Sequence, residues 1–321
     1  MKTLDIVVPF LNEQENLPVM LERVRAALAG EDIAWRLIFV DDGSTDGSAA
    51  WAAGVARTDP KVVLLRMSRN FGHQIAITAG MDYSGADAVV IIDADLQDPP
   101  ELIPELLARW REGNEVVYAV RKSREGETWS KKFLARSFYR VFHSMSKIEV
   151  PMDTGDFRLV DRKVIETMRD VRELHRFMRG LTCWVGFRQC AVYYERAARH
   201  AGSTKYPVWK SAKLALDAIT SFSGAPLRWV TGAGFAVAVA GALLMLYVVV
   251  NRLLNPAGYE PGWTTLVAIM VLLGGIQLIS IGMVGQYVSR IYEESKRRPL
   301  YILQETITHD NAAAPSQEPR S

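Results

Sequence analysis

Val89-Val90-Ile91-Ile92-Asp93-Ala94-Asp95-Leu96-Gln97-Asp98-Pro99-Pro100 is the stretch on which the reading of the fold turns. Four β-branched residues in a row predict a buried strand, and the two prolines forbid its continuation. The strand therefore stops on Asp-x-Asp. Two carboxylates with a one-residue spacer at a strand end point toward the same mouth of a sheet, and the amide oxygen of Gln97 lies just beyond. Oxygen donors of this kind suit a hard divalent cation, Mg²⁺ or Mn²⁺, completed by water and substrate phosphates. The plainer alternative is a turn whose aspartates merely bond backbone amides. The other loops of the chain weigh against it.

Outward from this stretch, strands expected at 4–10, 35–40, 61–67, 88–93 and 115–120 alternate with helix-period segments at 13–29, 45–56 and 72–81. That rhythm predicts a largely parallel sheet covered by helices, with ligands beyond the carboxyl ends of the strands. Polar residues collect at those ends: Asn12 and Glu13, Asp41-Asp42-Gly43-Ser44, Arg69-Asn70-Phe71-Gly72-His73, and Asp93-Ala94-Asp95. In the second loop Ser44, Thr45 and Asp46 are good helix caps and Gly43 supplies a tight turn. Capping does not need a second carboxylate, whereas an acid at a strand end binds ribose hydroxyls or the imide edge of a pyrimidine. No Gly-x-Gly-x-x-Gly follows the first strand and no Gly-x-x-x-x-Gly-Lys-Ser/Thr occurs, which argues against a dinucleotide fold and a P-loop kinase.

The 321 residues carry a net charge of +2 that is unevenly spread, and the hydrophobic content of 49% is concentrated after Arg228. Cys183 and Cys190 have no partners at zinc spacing and fit a reducing compartment. With no signal peptide ahead of the first strand, the N-terminal part is expected to stay cytoplasmic. Basic and aromatic residues interleave from 121 to 147, so 129–146 reads as a basic amphipathic helix on a membrane surface rather than a nucleic-acid-binding element. Arg121 and Arg124 can clamp an anion. Asp156 and Arg158 either pair with each other or place Asp156 at the reaction centre beside the Gly155 turn. His175, a lone histidine, reads as a packing or solvated residue. Residues 199–206 form a second basic loop, and 206–222 an interfacial helix.

Residues 229–250 and 264–285 carry no charge and reach the roughly twenty residues that cross a bilayer. Lys205, Lys210, Lys213 and Arg228 precede them and Arg290, Lys296, Arg297 and Arg298 follow, which places both ends in the cytoplasm. Gln277 and Ser280 suggest helix–helix contacts, and the residues from Asn311 onward read as a disordered tail. The expected organisation is a catalytic domain over 1–225, two transmembrane helices within 226–286, and a cytoplasmic arm and tail over 287–321.

Val8-Pro9-Phe10-Leu11-Asn12-Glu13, Asp41-Asp42-Gly43-Ser44 and Asp93-Ala94-Asp95-Leu96-Gln97-Asp98-Pro99-Pro100 together resemble family 2 glycosyltransferases of GT-A fold. The set is similar to the dolichol-phosphate-mannose-synthase group, and the two C-terminal spans look like bacterial polyprenyl-phosphate glycosyltransferases. The resemblance implies an α/β, Rossmann-like nucleotide-sugar-binding domain followed by two transmembrane helices. It implies Asp93, Asp95 and Gln97 as ligands of Mg²⁺ or Mn²⁺. Donor-nucleotide contacts are implied at Pro9, Glu13, Asp41, Asp42, Asp93, Ala94 and Asp95. The acceptor phosphate is assigned to Arg121, Arg124, Arg136, Arg199 and Lys205, and Asp95, Asp156 and Arg121 to the reaction centre, Asp156 for positioning more than proton abstraction. The implied substrates are a nucleotide sugar, UDP-linked before GDP-linked, and undecaprenyl phosphate. The implied setting is the bacterial inner membrane, with a homo-oligomer, a tetramer by analogy. A processive polysaccharide synthase would carry Gln-x-x-Arg-Trp, but Ala225 stands where the glutamine belongs before Arg228-Trp229. A non-catalytic nucleotide-sugar-binding protein would not need the intact carboxylates.

Overall fold

In the computed structural model, residues 1–121, 154–174, 176–195, 225–254 and 262–310 are described. The chain splits into two compact units. Residues 1–121, 154–174, 176–195 and 299–310 fall in the first, and 225–254 and 262–298 in the second.

Among the described residues of the first unit, one mixed sheet contains β1 (Thr3–Phe10), β2 (Ala34–Asp41), β3 (Val62–Met67), β4 (Ala88–Ile91), β5 (Val116–Arg121), β6 (Thr154–Asp161), β7 (Gln189–Tyr194) and β8 (Leu303–Ile307). Their order is β7-β5-β6-β4-β1-β2-β3-β8. β3, β2, β1 and β4 are parallel, as the alternation of strands and helices predicts. β6 runs antiparallel to both β4 and β5, and β8 antiparallel to β3. The expected largely parallel sheet is thus a mixed one, within the α/β class of GT-A domains.

The helices are α1 (Asn16–Leu28), α2 (Ser48–Thr58), α3 (His73–Tyr83), α4 (Ile103–Arg111), α5 (Arg162–Asp170) and α6 (Met178–Trp184). α1 buries Leu17, Met20, Leu21, Val24 and Leu28, the three-and-four spacing of a helix with one apolar face. It covers the sheet face formed by Ile6, Val8, Leu37 and Phe39. α3 lies close on β1, because Gly80 offers no side chain; a Cβ there would meet Val7 Cγ1 at 2.4 Å.

The antiparallel entry of β6 builds one side of the rim. Ile91 pairs with Arg158, so Asp156, two residues earlier on β6, arrives where Asp93 leaves β4. In the same way the parallel pairing of β5 with β7 sets Arg121 opposite Tyr194. β8, where the sequence pattern predicts no strand, closes the far edge through Ile307, which is buried, and an Arg66–Glu305 ion pair of 3.1 Å.

The second unit contains α7 (Ala225–Leu254) and α8 (Trp263–Ser295), 30 and 33 residues long. Among the described residues no helix is long and apolar enough to cross a membrane. The spans expected at 229–250 and 264–285 fall on these two helices, and several of their side chains, including those at 229, 233, 264 and 265, lie outside the described residues. The amphipathic stretches expected at 129–146 and 206–222, and the tail from 311, lie outside them as well.

Candidate functional site

The turn after β4 sorts its side chains by alternation. Asp93, Asp95 and Gln97 are part-exposed, whereas Ala94, Leu96 and Asp98 are buried. Leu96 takes a φ of 60°, a left-handed conformation that costs a residue with a Cβ about 1–2 kcal/mol. Burial of its side chain offsets that cost and fixes the turn. Three oxygen-bearing side chains therefore share one side, with the backbone N–H of Gln97 donating to Asp95 Oδ1 at 3.2 Å.

Two neighbouring loops are laced together beside this turn. Asn12, at a φ of 58°, accepts from the Thr45 amide at 2.8 Å, and the Glu13 amide donates to Ser48 Oγ at 2.9 Å. Asn16 Nδ2 donates to Glu13 Oε2 at 2.6 Å. Pro9 is buried at the end of β1, beyond the last β4 partner, where its missing N–H breaks no ladder bond. Both aspartates of the second loop have structural partners. Asp41, fully buried, accepts from the Ser44 amide at 2.8 Å, and its Oδ2 lies 3.5 Å from Arg66 Nε. Asp42 accepts from the amides of Phe71 and Gly72 at 2.7 and 3.0 Å, tying the β3–α3 loop to the rim. Burial raises the Asp42 pKa, and those two amides only partly offset it. Gly43 permits this arrangement: at a φ of +81°, a Cβ would stand 2.8 Å from the Asn70 nitrogen.

A network of charges fills the rim between β4 and β6. Asp156 is buried and accepts from Arg179 Nε at 2.9 Å and Gln74 Nε2 at 3.0 Å, with His73 Nε2 at 3.4 Å. Burial alone would raise its pKa; the bond with His73 and the charge of Arg179 instead hold the carboxyl well below the usual range. His73 also lies 3.2 Å from Asp93 Oδ1. Burial opposes the imidazolium, but Asp156 and Asp93 outweigh it and raise the pKa to about 10. With 44% of the side chain open to solvent, water screens part of that attraction; the ring is still a cation at neutral pH. Arg158, buried, gives its protons to the backbone oxygens of Gly155 and Asp156, at 3.0 and 3.3 Å, and to the hydroxyl of Thr182. The carboxylate of Asp156 thus takes Arg179 as its hydrogen-bonded ion-pair partner, while Arg158 braces the backbone beneath it. Burial pushes the Arg158 pKa down, to about 10, which leaves it charged.

Two groupings compete for a metal. The ligand atoms of His73, Asp93 and Asp156 lie within 4.8 Å of one another. Asp156, however, already accepts from Arg179 and Gln74, and the nearby arginines repel a cation. Asp93, Asp95 and Gln97 fit better. They form an all-oxygen set, as a hard divalent cation takes, and Asp93 Oδ1 meets His73 Nε2 at 3.2 Å without a well-directed hydrogen bond.

Arg121 stands at the end of β5. Its Nε donates to Tyr194 Oη at 3.1 Å, its Nη2 lies 3.5 Å from Asp98 Oδ1, and Tyr194 Oη donates to Asp98 Oδ1. The rim therefore gathers Glu13, Asp41, Asp42, Asp93, Asp95, Gln97, Arg121 and Asp156 from separate elements. Arg124, Arg136, Arg199, Lys205 and His175 lie outside the described residues. His73, Gln74, Asp98, Arg158, Arg179 and Tyr194 have no role at the centre that the sequence alone discloses. Their only signal is position, His73 in a polar strand-end loop and Arg179 in a basic segment.

A family model described as glycosyl transferase family 2 matches residues 5–169. An uncharacterised glycosyltransferase of Bacillus subtilis, YkcC, is 47% identical over 306 residues, covering 95% of this chain and 94% of that protein. A bactoprenol glucosyl transferase of Shigella phage SfV is 40% identical over 302 residues, 94% of this chain and 97% of that protein. A prophage bactoprenol glucosyl transferase homologue of Escherichia coli K12 is 38% identical over 300 residues, 94% and 98% of the two chains.

Proposed function

The chain belongs to glycosyl transferase family 2, and we propose that it moves a sugar, glucose foremost, from a UDP-sugar to the phosphate of undecaprenyl or a related polyprenyl lipid. One observation carries the reading of the acceptor. Similarity to proteins named bactoprenol glucosyl transferase covers 94% of the chain, well past the residues matched by the family model.

A lipid phosphate has a second pKa of about 6 and is largely dianionic at neutral pH. A strong general base is then dispensable, and the task is to bring two anions together. Arg121 meets the acceptor phosphate at the end of β5. Glu13, Pro9, Asp41 and Asp42 line the donor-nucleoside side, with the aspartates chiefly holding loop shape. Asp93, Asp95 and Gln97 would hold Mg²⁺ or Mn²⁺, which would supply positive charge to the diphosphate leaving group. Asp156, bonded by Arg179, Gln74 and His73, is a poor proton acceptor and acts by fixing the cations around the reacting centre. Arg124, Arg136, Arg199 and Lys205 complete the acceptor clamp.

Such an acceptor sits in a bilayer. The uncharged stretches 229–250 and 264–285 supply the anchor, and Phe235, Leu243, Leu246, Leu278 and Ile281 are each more than half exposed on α7 and α8, as lipid-facing side chains would be. The setting is the bacterial inner membrane, with the catalytic unit and both ends in the cytoplasm and protomers associated as an oligomer.

The test is lipid-product formation by detergent-solubilised full-length protein. It uses undecaprenyl phosphate, radiolabelled UDP-sugars and GDP-mannose, and Mn²⁺, Mg²⁺ or EDTA. The expected result is an organic-soluble, EDTA-sensitive product from UDP-glucose. No lipid product from any donor, with nucleotide still bound, would overturn the reading.

A further inference from the structure

Arg121, Tyr194 and Asp98 form a closed polar cluster whose geometry carries more than the presence of the arginine. Arg121 and Tyr194 are cross-strand partners at the ends of β5 and β7. The phenol ring is held edge-on to Phe157, with ring centroids 6.2 Å apart, and Tyr194 and Asp98 are 5% and 1% exposed. A tyrosine hydroxyl has a single proton. Tyr194 gives it to Asp98 Oδ1, so its oxygen is left to accept from Arg121 Nε at 3.1 Å. The direction of every bond in the chain Arg121→Tyr194→Asp98 is thereby fixed.

The consequence is a spacing. Arg121 Nη2 stays 3.5 Å from Asp98 Oδ1, longer than a charge-assisted hydrogen bond of about 2.7–2.9 Å. Left to themselves, a buried carboxylate and a guanidinium close into a two-bond pair. Tyr194 prevents that by taking Nε and one lone pair of Asp98. On the other flank Gly155 leaves room for the guanidinium: a Cβ there would come within 3.0 Å of Arg121 Nη2 and 3.5 Å of Asp98 Oδ2. Tyr194 engages Nε and Asp98 faces Nη2, the nitrogen that also lies beside Gly155 at the start of β6.

We propose that Tyr194 and Asp98 are positioning residues for Arg121, with Tyr194 the spacer that keeps the arginine from collapsing onto Asp98 and so keeps it presented to the acceptor phosphate. This rests on Arg121 being a phosphate-binding group of the transfer reaction proposed above. Removing the phenol oxygen lets Arg121 and Asp98 close, so the phosphate must then compete with a desolvated carboxylate. Neutralising Asp98 as well removes the competitor. The pair of changes therefore has a sign that general damage to the fold does not.

The experiment varies undecaprenyl phosphate and UDP-glucose separately with full-length detergent-solubilised protein, comparing wild type, Tyr194→Phe and Tyr194→Phe/Asp98→Asn. Tyr194→Phe is expected to raise KM for undecaprenyl phosphate about tenfold, the equivalent of one bond to a charged group, while KM for UDP-glucose and kcat change little. The double variant is expected to recover most of that loss. An unchanged acceptor KM in Tyr194→Phe, an equal rise in the donor KM, or a double variant no better than the single one would overturn the proposal. Should Tyr194→Phe fail to fold, Asp98→Asn decides: it loosens the Tyr194 hydroxyl that aims Arg121 and is expected to raise the acceptor KM a few-fold with the donor KM unchanged; an unchanged acceptor KM, or an equal rise in the donor KM, overturns the proposal. If the wild type forms no lipid product, the transfer reading fails by itself. Binding of undecaprenyl phosphate to the same proteins, by thermophoresis, then tests the spacer: the same order of affinities supports it, and equal affinities overturn it.

Discussion

Replacing Asp156 by asparagine tests whether this carboxylate organises the site or acts as a base. Asparagine keeps the shape but turns one acceptor oxygen into a donor, facing donors on Arg179, Gln74 or His73. Bonds to charged groups are worth about 1.5–3 kcal/mol each, and two of the three partners are cations. Arg179 is 30% and His73 44% exposed, so solvent recovers roughly half of what each loses. Arg158, fully buried, keeps its carbonyl bonds but loses the nearby carboxylate that offsets its charge. Together these give a loss of about 2–4 kcal/mol, or roughly 4–16 °C in Tm for a unit of this size.

The assay is thermal unfolding of the full-length protein in detergent, beside Arg179→Gln and the double variant Asp156→Asn/Arg179→Gln. The double variant removes a cation together with the anion that held it, so it is expected to be more stable than additivity of the single losses allows. A general base would behave differently: Asp156→Asn would abolish turnover and leave Tm unchanged, because a base poised to take a proton is not already saturated by donors. An unchanged Tm with no coupling to Arg179 would refute the reasoning.

Other perturbations test the remaining parts of the rim. Gly43→Ala forces a Cβ to 2.8 Å from the Asn70 nitrogen at a φ of +81°; overpacking and strain together should cost about 2–4 kcal/mol and weaken UDP binding, measured by calorimetry. Asp95→Asn should remove most Mn²⁺ binding, read by electron paramagnetic resonance on the resting protein, whereas His73→Gln should spare it; the reverse order would favour the His73–Asp93–Asp156 grouping. Glu101, bound by Arg23 through bonds of 2.8 and 2.6 Å, has a pKa lowered first by that bond. Its contribution is therefore present above its ordinary value of 4.5 and fades as pH falls through the lower folded value. Because Glu101 is 56% and Arg23 30% exposed, Glu101→Gln should cost less than about 1 kcal/mol at pH 7, and the difference in Tm should vanish in strong acid.

The parts of the fold legible in the sequence are those whose pattern is local. β1 to β5 are largely apolar runs between turn signals, and α1 shows its buried face at helical spacing, so each announces itself without a partner. β6 does not. Thr154-Gly155-Asp156-Phe157-Arg158-Leu159-Val160-Asp161 carries charges at positions that are nonetheless buried, and those charges disguise a central strand as a loop. They are tolerated because each is answered from elsewhere, Asp156 from α3 and α6, Arg158 from the backbone and Thr182. β8 is hidden for the opposite reason. Leu303–Ile307 is a short edge strand whose pairing with β3 depends on contacts across more than two hundred residues, as between Arg66 and Glu305.

The same distinction governs the site. The proposed ligand set Asp93, Asp95 and Gln97 is legible because three oxygen-bearing side chains on one turn need only the local alternation of a chain leaving a strand. The cations that meet the reacting anions need the register of the sheet. Arg121 can be named from its sequence, but the residue that aims it, Tyr194, stands opposite only because β5 and β7 pair in parallel at that offset. Likewise Asp156 reaches Asp93 only because β6 runs antiparallel beside β4. A transfer between a nucleotide diphosphate and a lipid phosphate has little need of a base and much need of fixed positive charge, since the reactants repel each other. The chain meets that need by burying carboxylates as anchors for cations, Asp156 for Arg179 and His73, Asp98 through Tyr194 for Arg121. On the proposed reading the acids of the rim divide by their surroundings: Asp93 and Asp95, part-exposed on the turn after β4, serve the metal, whereas Asp156 and Asp98, buried and engaged by Arg179, Gln74 and Tyr194, hold cations in place.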